Sequence, residues 1–120
     1  MKSLLCLLLL ATPLSAANDG LAEVNAARAA RGLRPFIYDA NLARAAAGCA
    51  DFRAQRLIEG HTSNDFAALP PGTQAASSGC AAWHASLGWG ACCTFDAYTF
   101  AGAAWTVGRD GRRYMHLFVR

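Results

Sequence analysis

Apolar residues near the start of the chain recur at helical spacing, and those near its end alternate. Leu21, Val24, Ala27 and Arg28 mark one face of a first helix, with Asn18 and Asp19 suited to cap it. Its alanines favour the helix and let neighbouring elements approach closely. Gly32 is the expected left-handed stop, and Leu33 fits the apolar contact that accompanies such a stop. Pro35 prevents continuation and holds Arg34 extended. Phe36, Ile37 and Tyr38 then form a short link docked on the core. Asp39 or Asn41 caps a second helix expected to run to about Glu59 and to end at Gly60, just before His61. Leu42, Ala45, Ala46, Cys49, Phe52 and Arg56 fall on or near one face of it, so Cys49 is predicted to point inward.

Residues 62–79 read as loop, because Pro70, Pro71 and Gly72 break regular structure and Ser77, Ser78 and Gly79 repeat the signal. Residues 80–83 are expected to form a short helical turn, and 87–93, rich in Gly and Cys, to be pinned by disulfides. Residues 101–107 read as a strand. Gly108-Arg109-Asp110-Gly111 is a hairpin signal, and 114–120 returns antiparallel. Tyr114, His116 and Phe118 share one face of that strand, and Met115, Leu117 and Val119 the other. Two largely apolar faces predict a sheet covered on both sides. No internal repeat is present.

The first residues read differently. Lys2 precedes an apolar run over 4–10, and Leu14-Ser15-Ala16-Ala17 supplies small residues for cleavage. That run is shorter than the roughly 20 residues that span a bilayer. Residues 1–17 are therefore expected to be a signal peptide and 18–120 a single domain, secreted or periplasmic, with no stable membrane anchor after cleavage. Beyond Cys6, four cysteines remain: Cys49, Cys80, Cys92 and Cys93. After a secretory signal an even count points to two disulfides. A bridge between the neighbours Cys92 and Cys93 would close a strained ring, so both are expected to reach Cys49 and Cys80, in either of two arrangements. Each bridge would contribute about 3–4 kcal/mol in the chain-entropy account. The net charge of +3 is dispersed. It gives no basic patch for nucleic acid or an anionic membrane, and the arginines are expected mostly on solvated helix faces. A monomer is expected.

These residues resemble the CAP superfamily, also called SCP-domain proteins, which includes the cysteine-rich secretory and pathogenesis-related proteins. The family opens with Asn and Arg on a helix, then Gly-Leu, Pro, an aromatic-Asp pair and an Ala-rich helix. Here those are Asn25, Arg28, Gly32-Leu33, Pro35, Tyr38-Asp39, Leu42, Ala45 and Ala46, with Tyr38 where Trp is usual. His61 matches the family's first cleft histidine. The family's Gly-Glu-Asn motif has Gly79-Cys80-Ala81 in its place, without the acid. Its Gly-His motif has Gly90-Ala91-Cys92-Cys93, without the histidine. Ala101-Gly102-Ala103 and the hairpin to Phe118 resemble its final strand pair. The resemblance implies an α+β fold, a CAP-like α-β-α sandwich with a small antiparallel sheet between helices.

The family cleft holds a divalent metal through two histidines and carboxylates. Only His61 survives, and one imidazole falls short of the three or four protein ligands of a zinc site. No metal and no cofactor are therefore expected. Asp65, four residues on, and His84 are the other cleft candidates, though neither matches the motif, and a site rebuilt from His61, His84 and a cysteine is disfavoured. Cys80 and His84, four apart, would face each other on one helical turn, but a structural, oxidised Cys80 is the stronger expectation in a secreted chain. Ser77 and Ser78 lack a nucleophile elbow and an orienting acid. Trp83, Trp89, Trp105, Phe95, Tyr98 and Phe100 are expected as core rather than as a ligand groove. No catalytic residue is assigned. The expectation is a non-enzymatic binding or interaction module, its partner a small apolar ligand or a protein. The alternatives are an extracytoplasmic hydrolase using a cleft around His61 and a structural envelope protein.

Overall fold

The computed structural model describes residues 17–120 apart from 85–87 and 90–92. All of the expected signal peptide but Ala17 therefore lies outside the described residues, as do Cys92 and part of the Gly- and Cys-rich segment. The chain runs β1 (Asn18–Asp19), α1 (Leu21–Ala30), β2 (Ile37–Tyr38), α2 (Ala40–Arg56), a single 3-10 turn (Phe66–Ala68), β3 (Ser77–Trp83), β4 (Phe100–Val107) and β5 (Arg113–Val119). Among the described residues this is a small α+β fold of two helices and a five-stranded sheet. Strand order is β1-β4-β5-β3, antiparallel, with the two-residue β2 joining the β1 edge of β4 in parallel.

Local chemistry sets most boundaries. Asp19 Oδ1 accepts from the Leu21 amide at 3.0 Å and opens α1. Gly32, at φ 70°, closes it while the Leu33 amide donates back to the Arg28 carbonyl. Asn25 then ties the link down in both directions. Its Nδ2 donates to the Phe36 carbonyl at 3.1 Å, and its Oδ1 accepts from the Phe36 amide at 2.8 Å. Asp39 Oδ1 caps α2 by accepting from the Asn41 and Leu42 amides. The helix ends at Arg56, with Leu57 in the left-handed position at φ 54°, earlier than the sequence suggests. The reason lies in Arg53, whose guanidinium draws the Glu59 and Gly60 carbonyls back onto the helix and so folds the chain over it.

The sheet has a core on each face. Leu21 and Val24 of α1 pack with Phe36, Ala101, Ala103, Met115, Leu117 and Val119 on one side. Leu42, Ala45, Ala46, Cys49 and Ala50 of α2 pack with Ala104 and Phe118 on the other. The alternation along β5 thus divides between two cores, as its two apolar faces require. The closest approach is at Gly102, where a Cβ would stand 2.0 Å from the Ala43 backbone nitrogen.

Three expectations change. Residues 80–83 belong to a strand: β3 pairs with β5 from Ser77↔Val119 to Trp83↔Arg113, so Ser78 is buried in the sheet and not in a solvated turn. Partnership with an already formed hairpin overrides the local turn signal. Arg28 and Arg53 are buried, not solvated; Arg53 takes the inner position on α2, and Arg56 is exposed. Cys49 is a buried free thiol, and no disulfide joins two of the described cysteines.

Candidate functional site

Beneath the C-terminal half of α2, four segments bring polar groups into one buried cluster. The helix contributes Cys49 and Arg53, the returning loop His61, Thr62 and Asp65, β5 His116, and β3 Ser78. Helical spacing puts Cys49 and Arg53 on the inner face, and strand alternation puts His116 beside Phe118 on the α2 side of the sheet. The register sets β3 against β5, with Ser78 opposite Phe118 and Cys80 opposite His116.

Asp65 is the hub. Its Oδ2 lies 2.6 Å from His61 Nδ1 and 3.7 Å from His116 Nε2. Oδ1 accepts from the Thr62 amide and hydroxyl, and the Asp65 carbonyl accepts from Cys49 Sγ at 3.5 Å. Burial alone would raise the Asp65 carboxyl, but the His61 hydrogen bond, with His116 and the Thr62 amide, outweighs it and holds the group below its ordinary value. Asp65 is therefore ionised, and Nδ1 of His61 is the donor to it. His61 is half exposed; Asp65 is almost fully buried.

His116 is fully buried, and its pKa is pushed down to about 3, chiefly by burial, against the opposing pull of Asp65. The ring is neutral, with one proton. Nε2 shares a 2.7 Å hydrogen bond with Ser78 Oγ, while Nδ1 has no partner among the described residues. Burial, with Asp65 next, pushes the Cys49 thiol up to about 12, so it is protonated. Arg53 directs its N–H groups to the carbonyls of Glu59, Gly60, Ala81 and Met115.

Alongside the cluster runs a cleft of about 250 Å³ between α2 and the 62–68 segment, lined by Gly48, Cys49, Phe52, Thr62, Asp65 and Ala68 among others. Serine, histidine and aspartate meet here but do not form a nucleophilic triad. Ser78 and Asp65 both approach Nε2 of His116, whereas a triad places them on opposite ring nitrogens. Nor is Cys49 a nucleophile, since a buried, protonated thiol is unreactive.

Of the residues singled out from sequence, His61 and Asp65 are brought into contact. His84 is exposed just beyond β3 and makes no hydrogen bond or ion pair among the described residues. Because 80–83 is a strand, four residues separate Cys80 and His84 by roughly 13 Å rather than by one helical turn. The expectation of no metal site counted one imidazole; β5 brings a second, His116, to Asp65. Its signal was legible as an ionisable residue within a strand apolar on both faces. Arg53 had no such signal.

No family model, no curated protein and no solved structure matches the chain.

Proposed function

We propose that the chain is a secreted or periplasmic CAP-like domain, an α-β-α sandwich that binds a small apolar molecule and does not transform it. The motif residues behind the resemblance have defined tasks that support the reading: Asn25 clamps Phe36, Gly32 turns the chain out of α1, and Arg28 donates to the carbonyls of Arg34, Thr94 and Asp96. Cys49 and Ser78 are buried and hydrogen-bonded to neighbours, which favours binding over catalysis. The observation that carries the proposal is the cleft between α2 and residues 62–68. Phe52, Ala67, Ala68 and Gly48 give it apolar walls, and its volume of about 250 Å³ fits a ring or a short alkyl chain. A concavity of that size suits a small molecule better than a protein surface. No helix among the described residues is long and apolar enough to cross a membrane.

Calorimetric titration with medium-chain fatty acids tests this. Saturable binding is expected for the wild type and is expected to be lost in Gly48→Leu. A Cβ at position 48 meets nothing within 4 Å, so the new side chain occupies the cleft without disturbing α2. Replacing a helical glycine also removes a penalty of about 1 kcal/mol, so the variant should melt no lower than wild type. Absence of saturable heat with fatty acids, sterols and aromatic probes alike, or wild-type affinity in Gly48→Leu, would overturn the reading.

A further inference from the structure

We propose that Cys49, Asp65 and His116 form a binding site for one borderline divalent metal ion of the zinc or cobalt class. The inference rests on these three side chains and stands whichever molecule the cleft takes. Cys49 Sγ, a carboxylate oxygen of Asp65 and a ring nitrogen of His116 all lie within 4.8 Å of one another, and all three residues are buried. Around a tetrahedral metal, ligand atoms at 2.0–2.3 Å stand about 3.5 Å apart. His116 Nε2 and Asp65 Oδ2 are already 3.7 Å apart, so small side-chain rotations close the set. None of the three stands at a cleft position given by the family resemblance, which assigns only His61.

The donor types select the ion. One thiolate, one imidazole and one carboxylate suit zinc or cobalt, and do not suit the hard calcium and magnesium ions, which take oxygen ligands. Three protein ligands leave a fourth position open. The supporting contacts are also in place. His61 Nδ1 and Thr62 orient the carboxylate, and Nε2 of His116, the nitrogen that faces Asp65, exchanges its hydrogen bond with Ser78 Oγ for the metal. Arg53, close enough to act on both Cys49 and His116, spends its hydrogen bonds on backbone carbonyls, so its charge favours the thiolate without occupying Asp65. On binding, the S–H bond of Cys49 is replaced by an S–metal bond and the proton leaves to water; no electron is transferred.

The test is titration of the reduced, metal-free full chain with cobalt(II). A sulfur-to-cobalt charge-transfer band in the near ultraviolet, with visible bands of four-coordinate cobalt, should saturate at one equivalent and be abolished by zinc. Cys49→Ser should lose the near-ultraviolet band, Asp65→Asn and His116→Gln should weaken binding at least tenfold, and Cys80→Ser should bind as wild type. If His116→Gln fails to fold, the near-isosteric Cys49→Ser and Asp65→Asn decide the matter. The proposal is overturned by the absence of a saturating band, by a band that survives in Cys49→Ser, or by mass spectrometry finding Cys49 in a disulfide in the native protein. Loss of lipid binding with cobalt binding retained would sink the cleft reading alone.

Discussion

Arg28 and Arg53 carry their charge into the core without forming an ion pair among the described residues. Each is instead surrounded by backbone carbonyls, which share the charge and fix the segments that supply them. Arg53 is the more consequential. Burial lowers its pKa, yet it stays charged because its fork reaches carbonyls from the post-helix loop, β3 and β5 together. A lysine has one nitrogen and no fork, so Arg53→Lys should leave several carbonyls unpaired. Given about 1.5–3 kcal/mol for a hydrogen bond to a charged group, a loss of roughly 2–4 kcal/mol is expected in urea unfolding. Wild-type stability in that variant would show the carbonyls to be satisfied otherwise. Asp39 gives a pH dependence. The Arg120 hydrogen bond, then the Leu42 amide, holds its carboxyl below the ordinary value despite burial. A depressed folded pKa means that the stabilisation is complete above the unfolded value of about 3.9 and is lost as pH falls through the folded value. Urea midpoints measured from pH 6 to pH 2 should therefore fall more steeply for wild type than for Asp39→Asn, which keeps the cap acceptor but does not titrate. Parallel curves would remove Asp39 from the acid transition.

At the scale of elements, the decisive contact is that of α2 with β4. Gly102 lets the helix backbone rest directly on the strand, since any Cβ there would lie 2.0–2.4 Å from backbone atoms of Leu42 and Ala43. Backbone cannot rotate aside as a side chain can, so Gly102→Ala should cost about 2–3 kcal/mol or prevent folding. A melting temperature within a degree of wild type would mean that α2 moves freely on the sheet. The same contact explains the alanines of α2: Ala45, Ala46 and Ala50 are buried because only small side chains permit that separation. Sequence periodicity identified this face, the Gly32 stop and the terminal hairpin, since all three depend on residues close in the chain. It misread 80–83, where the local signal for a turn is overridden by seven residues of pairing with β5.

For the whole molecule, covering the sheet on both faces creates the candidate site. The two alternating faces of β5 enter different cores, and the polar member of the α2-side face, His116, has to be satisfied below the helix. Loop 61–65 closes over it and supplies Asp65, and β3 supplies Ser78. The amino-acid sequence by itself determined two helices, a C-terminal hairpin and an inward-facing Cys49, because spacing and turn chemistry act over a few residues. Only the tertiary structure decided that Cys49, Asp65 and His116, separated by 16 and 51 positions, would meet, or that Arg53 would lie at the centre of four carbonyls. Such meetings follow from strand register and helix-on-sheet packing, which no local pattern encodes.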